Sequence, residues 1–166
     1  MGLAPVNWAE ALDHAVLMAM AYGLALPIGW DREQYERSAG LRTFPLVAVA
    51  SCGLVIVALQ ATGGVAAEQS RILQGLITGI GFIGGGAILK TQSSVRGTAT
   101  AASIWNVGVM GAAVGYGLYD VAALLSLINF LTLRLLRPFK QEQPHDDGLV
   151  LRPGAPERAE DANDNS

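Results

Sequence analysis

The stretch GIGFIGGGAIL, residues 79–89, decides how this chain is to be folded. Its first six residues, Gly79-Ile80-Gly81-Phe82-Ile83-Gly84, spell the G-x-G-x-x-G pattern of dinucleotide-binding turns. That pattern needs a strand before it, a helix after it and an acidic residue roughly 20 positions on to hold a ribose. No Asp or Glu occurs between Glu68 and Asp120, and no Gly-Lys-Ser/Thr follows the glycines to make a phosphate loop. A nucleotide site therefore lacks its context, and the glycines must meet a different need.

The residues around the run show what that need is. Nothing is charged from Phe44 to Ala67, from Ile72 to Leu89 or from Gly97 to Tyr119. A bilayer is crossed by about 20 mostly apolar residues in a helix, and each interval is long enough. Trp8 to Trp30 is apolar after Asp13 and His14 and has an aromatic residue at each end, where membrane-interface anchors sit. Leu118 to Arg137 is apolar between Asp120 and Arg134, whose long or terminal side chains can reach the interface. The sequence thus predicts an all-α integral membrane protein with five transmembrane helices at 8–29, 44–63, 71–90, 98–116 and 118–137. Composition agrees: 51% of residues are hydrophobic, 15% are charged, and mean hydropathy is +0.37. A soluble helical bundle would carry polar stripes on its outward faces.

The basic residues give an orientation. Arg32, Arg37 and Arg42 lie between the first two spans, Lys90 and Arg96 between the third and fourth, and Arg134, Arg137 and Lys140 after the fifth. The alternate connections hold only Arg71. The positive-inside rule then puts the N-terminus outside and the C-terminus in the cytoplasm, in a multi-pass protein of the bacterial inner membrane. No basic region precedes the first apolar stretch, so no signal peptide is expected. The net charge of −3 belongs to the end of the chain, where seven acidic residues from Glu142 to Asp164 face Lys140, Arg152 and Arg158. Residues 1–139 read as the membrane domain and 140–166 as a disordered acidic cytoplasmic tail.

In this setting the glycines have a mechanical use. Gly75 and Gly79, Gly81 and Gly85, and Gly111 and Gly115 are each four apart, as small residues are where membrane helices pack closely. Gly84-Gly85-Gly86 is also open to a second reading, a loosened helix beside a permeation path, since glycine costs about 1 kcal/mol in a helix interior.

Candidate chemistry is sparse. Arg96, Thr100, Ser103 and Asn106 recur at three- and four-residue spacing and share one face of the fourth helix. Such a stripe lines a functional interior or supplies interhelical hydrogen bonds. Thr98 to Thr100 opens that helix, where free N–H groups favour an anion. The first connection packs Asp31, Arg32, Glu33, Glu36, Arg37, Arg42 and Thr43 together. Carboxylates suit Mg²⁺, but the interleaved arginines suit the same carboxylates as ion pairs. The ligand spacing of a metal site is missing, His14 and His145 are isolated, and Cys52 is the lone cysteine. No nucleophile–base pair is visible. No catalysis, metal, cofactor or nucleic-acid binding is expected.

Three segments, GWDREQYERSAGLRTFPLV, RILQGLITGIGFIGGGAIL and VRGTATAASIWNVGVMGAAVGYGLY, in this order and spacing, resemble the MgtC/SapB family of bacterial inner-membrane proteins from about Leu24 to Leu136. The matching positions are Asp31, Arg32, Glu33, Gly40, Arg42 and Thr43, then Gly79, Gly81, Gly84 and Gly86, then Arg96, Gly97, Thr100 and Trp105. The resemblance implies a five-helix membrane domain, a link to growth under magnesium limitation and, in pathogens, to survival inside host cells. It implies a regulator of other membrane machinery, with the F-type ATP synthase or transporters as partners. The alternative is a small oligomeric transporter or channel for Mg²⁺ or another small solute. Thr98-Ala99 stands where many members have Leu-Thr. MgtC-branch members continue into a cytoplasmic ACT-like domain, whereas the acidic segment stands here, so the short SapB-like form is expected.

Overall fold

The computed structural model describes residues 7–34, 39–90 and 95–136. They form five helices and one two-stranded hairpin: α1 (Trp8–Glu33), α2 (Thr43–Thr62), α3 (Ala66–Gly86), β1 (Leu89–Lys90), β2 (Val95–Arg96), α4 (Thr98–Gly115) and α5 (Tyr119–Leu135). The strands are antiparallel, with Leu89 opposite Arg96 and Lys90 opposite Val95. The segment from 140 onward, expected to be a disordered acidic tail, lies outside the described residues, as do Glu36, Arg37 and His145.

All five expected helices form, but several of their ends move. α1 runs a full turn past residue 29, so Asp31, Arg32 and Glu33 are helical and not in a loop. α3 starts at Ala66, with Glu68 and Arg71 already in it, and stops at Gly86. Charges end an apolar run, but they do not end a hydrogen-bond ladder. Three consecutive glycines do weaken one, and Lys90 falls in the hairpin as a result.

α4 is the central element and packs on each of the other four helices. Eleven of its 18 residues are buried, which is possible because its inward positions are small. A Cβ at Gly111 would meet the Ala48 carbonyl, one at Gly115 would lie 2.8 Å from Val55 Cβ, and one at Gly108 would meet Ile80. Gly97 turns the hairpin into α4 at φ +89°, and a Cβ there would strike the Ala87 carbonyl. Both the left-handed backbone and the lack of space require glycine at this position.

α1 and α2 are each long and apolar enough to cross a bilayer. α4 and α5, with 18 and 17 residues, reach about 27 and 26 Å at 1.5 Å per residue. Large side chains are exposed around the perimeter, among them Leu12, Val16, Leu46, Val57, Leu124, Leu127, Ile128 and Leu131. An apolar exterior over a core of small residues is what lipid surroundings favour and water does not.

Candidate functional site

The buried polar side chains that bond between helices gather around α4 and α5, while Ser51 and Thr62 are buried apart on α2. Ser103 Oγ donates to Asn129 Oδ1 at 3.0 Å. Asn129 Nδ2 in turn donates to the Ser103 carbonyl at 3.5 Å and to Asn106 Oδ1 at 3.3 Å. Three residues further toward the N-terminus of α5, Ser126 Oγ donates to the Leu24 carbonyl of α1 at 2.7 Å. Pro27 denies an N–H to the Gly23 carbonyl, one residue before that acceptor, whereas the Leu24 carbonyl is the helical acceptor for Ile28 and takes the Ser126 bond in addition. The bond ties α5 to α1 next to the proline, where the helix is least well held by its own ladder. Thr100, Ser103, Ser126 and Asn129 are all buried.

The structure divides the stripe expected on the fourth helix. Thr100 and Ser103 face inward, and Asn106 is half-buried beside them. Arg96 does not belong with them: it lies in β2, exposed, before the turn at Gly97. Its spacing from Thr100 counts as a helical step only if the helix begins before Gly97, and it does not. The sequence reading missed Asn129 and Ser126, although they are two of the few polar residues in an apolar helix and stand three apart, the signal used for α4.

The second cluster joins α1 to α2. Asp31 and Arg32 are buried and paired at 3.3 Å. Glu33 Oε2 accepts the Leu41 N–H at 3.0 Å, and its carboxylate fills the space where Gly40 would carry a Cβ. Gly29 lets the chain return so closely that a Cβ there would lie 3.2 Å from Leu41 Cα. Glu33 is thus engaged in holding the turn. Arg42 is exposed and Thr43 half-buried at the start of α2. Among the described residues no three His, Cys, Asp or Glu side chains are grouped to hold a metal ion. His14 lies 3.3 Å from Gln60 of α2, Nε2 to Nε2.

The glycine pairs fall into two groups. Gly111 and Gly115 are packed against α2, whereas a Cβ at Gly75, Gly79, Gly81 or Gly85 would meet nothing within 4 Å. Gly75 and Gly79 instead line a groove of about 670 Å³ between α2 and α3, bounded also by Leu46, Leu54, Leu76 and Phe82, with Ser51 its one polar residue.

The charges separate by end. Arg32, Arg42, Lys90, Arg96 and Arg134 stand with Asp31 and Glu33 where α1, α3 and α5 finish, while Glu10, Asp13, Glu68 and Asp120 stand with Arg71 at the other end.

A small-residue core, an apolar exterior and polar side chains hydrogen-bonded between helices define a helical membrane protein. Within that class the chain belongs to the MgtC family, which it matches over residues 17–142. It is 41% identical over 145 residues to the protein SrpB of Synechococcus elongatus, covering 80% of this chain and 76% of that one. It is 35% identical over 134 residues to the protein MgtC of Brucella abortus, covering 81% of this chain and 56% of the relative. YhiD of Escherichia coli K12, named as a candidate magnesium transporter, is 33% identical over 133 residues, covering 76% and 60%. The chain thus spans less than two thirds of the length of these last two relatives. No solved structure matches it.

Proposed function

We propose that this chain is a five-span protein of the bacterial inner membrane that regulates other membrane machinery during adaptation to low magnesium, without catalysis of its own. Family membership supports the magnesium link, through relatives named MgtC and YhiD. Charge supports the orientation: among the described residues five cations stand at one end against one at the other, which would place that end and the C-terminus in the cytoplasm. α3, α4 and α5 complete the five spans, the shorter ones relying on snorkelling flanks and local thinning of the bilayer.

One observation favours a regulator over a transporter. Ser103, Asn106 and Asn129 are bonded to one another, and the groove between α2 and α3 is apolar. Polar groups that satisfy one another act as links between helices and offer no stepping stones to an ion, which needs polar or charged groups along its path. The partners would be membrane proteins such as the F-type ATP synthase or transporters.

A strain lacking the gene should grow normally in ample magnesium and poorly when it is scarce, with an altered intracellular ATP level only in the second condition. Identical growth and ATP in both conditions would remove the magnesium reading. Purified protein in liposomes should pass Mg²⁺ no faster than empty vesicles, and a clear excess flux would restore the transporter.

A further inference from the structure

The exposed side of α3 is unlike that of any other perimeter helix. At about 100° per residue, all its large aliphatic side chains, Ile72, Leu73, Leu76, Ile77, Ile80 and Ile83, fall on one arc. That arc is centred on the buried Ile80 and includes the partly covered positions 72, 73 and 76, while Ile77 and Ile83 at its two edges stay exposed. The opposite arc carries Glu68, Arg71, Gln74 and Thr78 along with glycines, every one of them exposed, and Phe82 at 84% exposure is its one large apolar side chain. α5 and α2 show lipid the reverse, leucine, isoleucine and valine. Thr78 Oγ1 is satisfied by the Gln74 carbonyl of its own helix at 2.8 Å, and Glu68 and Arg71 stand at the helix start; the Gln74 amide and the bare glycine backbone are what lipid covers poorly and a close protein neighbour covers well.

The charges identify the covering molecule. Glu68 and Arg71 stand three apart at the start of α3, and neither is ion-paired within the described residues. They lie on either side of the line through Gly75 and Phe82. Two copies inserted the same way in one membrane are related by a twofold axis along its normal, which sets like residues at like depth. That operation brings each Glu68 beside the partner copy's Arg71, twice over. Gly75 and Gly79 lie one to two turns further along, where the backbones cross, and Phe82 closes the wedge beyond them. We propose that α3 is a homodimer interface: a second copy of this chain covers the outward face and joins through reciprocal Glu68–Arg71 pairs across a close glycine crossing. This rests on the reading above that α3 spans the membrane.

Cross-linking in native membranes tests it, in a Cys52→Ala background. Thr78→Cys should cross-link to a dimer of this chain, whereas Ile77→Cys, exposed on the far side of α3 from that face, should not. Gly79→Leu should abolish the Thr78→Cys dimer while the chain still inserts and melts as before, since a Cβ at Gly79 meets nothing within its own copy. Glu68→Arg and Arg71→Glu should each deplete the dimer, and the double exchange should restore it. No dimer at position 78, equal cross-linking at 77 and 78, a product containing a different protein, or indifference to Gly79→Leu each overturns the proposal. These results are independent of the magnesium phenotype. A chain that complements the deletion yet never cross-links sinks the dimer alone, and one that cross-links yet leaves magnesium growth unaltered sinks the regulator alone.

Discussion

Replacing Asn129 by leucine should weaken the fold by a calculable amount. The side chain makes three contacts: with Ser103 Oγ at 3.0 Å, Asn106 Oδ1 at 3.3 Å and the Ser103 carbonyl at 3.5 Å. Hydrogen bonds between membrane helices are worth about 0.6 kcal/mol each on average, so losing all three costs about 2 kcal/mol. The folded-to-unfolded ratio then falls roughly thirtyfold, a tenfold change being 1.4 kcal/mol. A double-mutant cycle isolates the network from the change of shape. Ser103→Ala with Asn106→Ala removes two of the three links, so its coupling to Asn129→Leu should be about 1.2 kcal/mol. Independent sites add to within roughly 0.3–0.5 kcal/mol, so a coupling of that size stands clear of the background. Equilibrium unfolding in mixed micelles, followed by circular dichroism, measures every corner of the cycle. Additive effects would refute the network. An Asn129→Leu protein of unchanged stability that fails to complement the deletion would refute its role as a link between helices and make Asn129 a functional group.

The glycines separate sharply in their predicted response. Gly111→Val should cost about 3 kcal/mol by overpacking against the Ala48 carbonyl and reduce accumulation in membranes, whereas Gly79→Val should leave the melting temperature of the monomer in detergent unaltered. Gly97→Ala should destabilise by at least roughly 1–2 kcal/mol, the cost of a left-handed L-residue, with the Ala87 carbonyl adding to it; thermal unfolding in detergent measures this. A reporter fused at the C-terminus should be active only in the cytoplasm, and a cysteine placed at Asp13 should react with an impermeant reagent added outside intact cells. The opposite labelling would invert the orientation proposed for the basic end.

The five helices and their order were legible because the charge-free intervals are long, whereas the hairpin of Leu89–Lys90 and Val95–Arg96 was not. The helix ends were less legible. Asp31 marks the end of an apolar run, yet the helix continues to Glu33 because its N–H groups still find acceptors. Arg96 was placed on the face of Thr100 by counting through Gly97, whose positive φ interrupts the count. Asn129 escaped notice because a single amide in an apolar helix acquires meaning only when Ser103 and Asn106 of another helix are found opposite. No spacing within one helix encodes that partnership.

Glycine spacing marks the limit of what the sequence encodes most clearly. Gly75 and Gly79 repeat at the same interval as Gly111 and Gly115, yet the second pair lies against α2 and the first faces open space. The two helices differ in the residues around their glycines. α4 is buried on every side around its glycines, with Ala112, Ala113 and Val114 all buried, so the helix can occupy the centre. In α3 the arc centred on Ile80, with Ile72, Leu73 and Leu76 partly covered, makes the contact with the bundle, which leaves Gly75 and Gly79 outward. A helix has one apolar arc to spend: where the glycines lie within it they pack inside the chain, and where they lie opposite it they are left for a neighbouring molecule. The direction of the aliphatic arc, not the glycine interval, therefore determines whether a small-residue pair builds a monomer or an assembly.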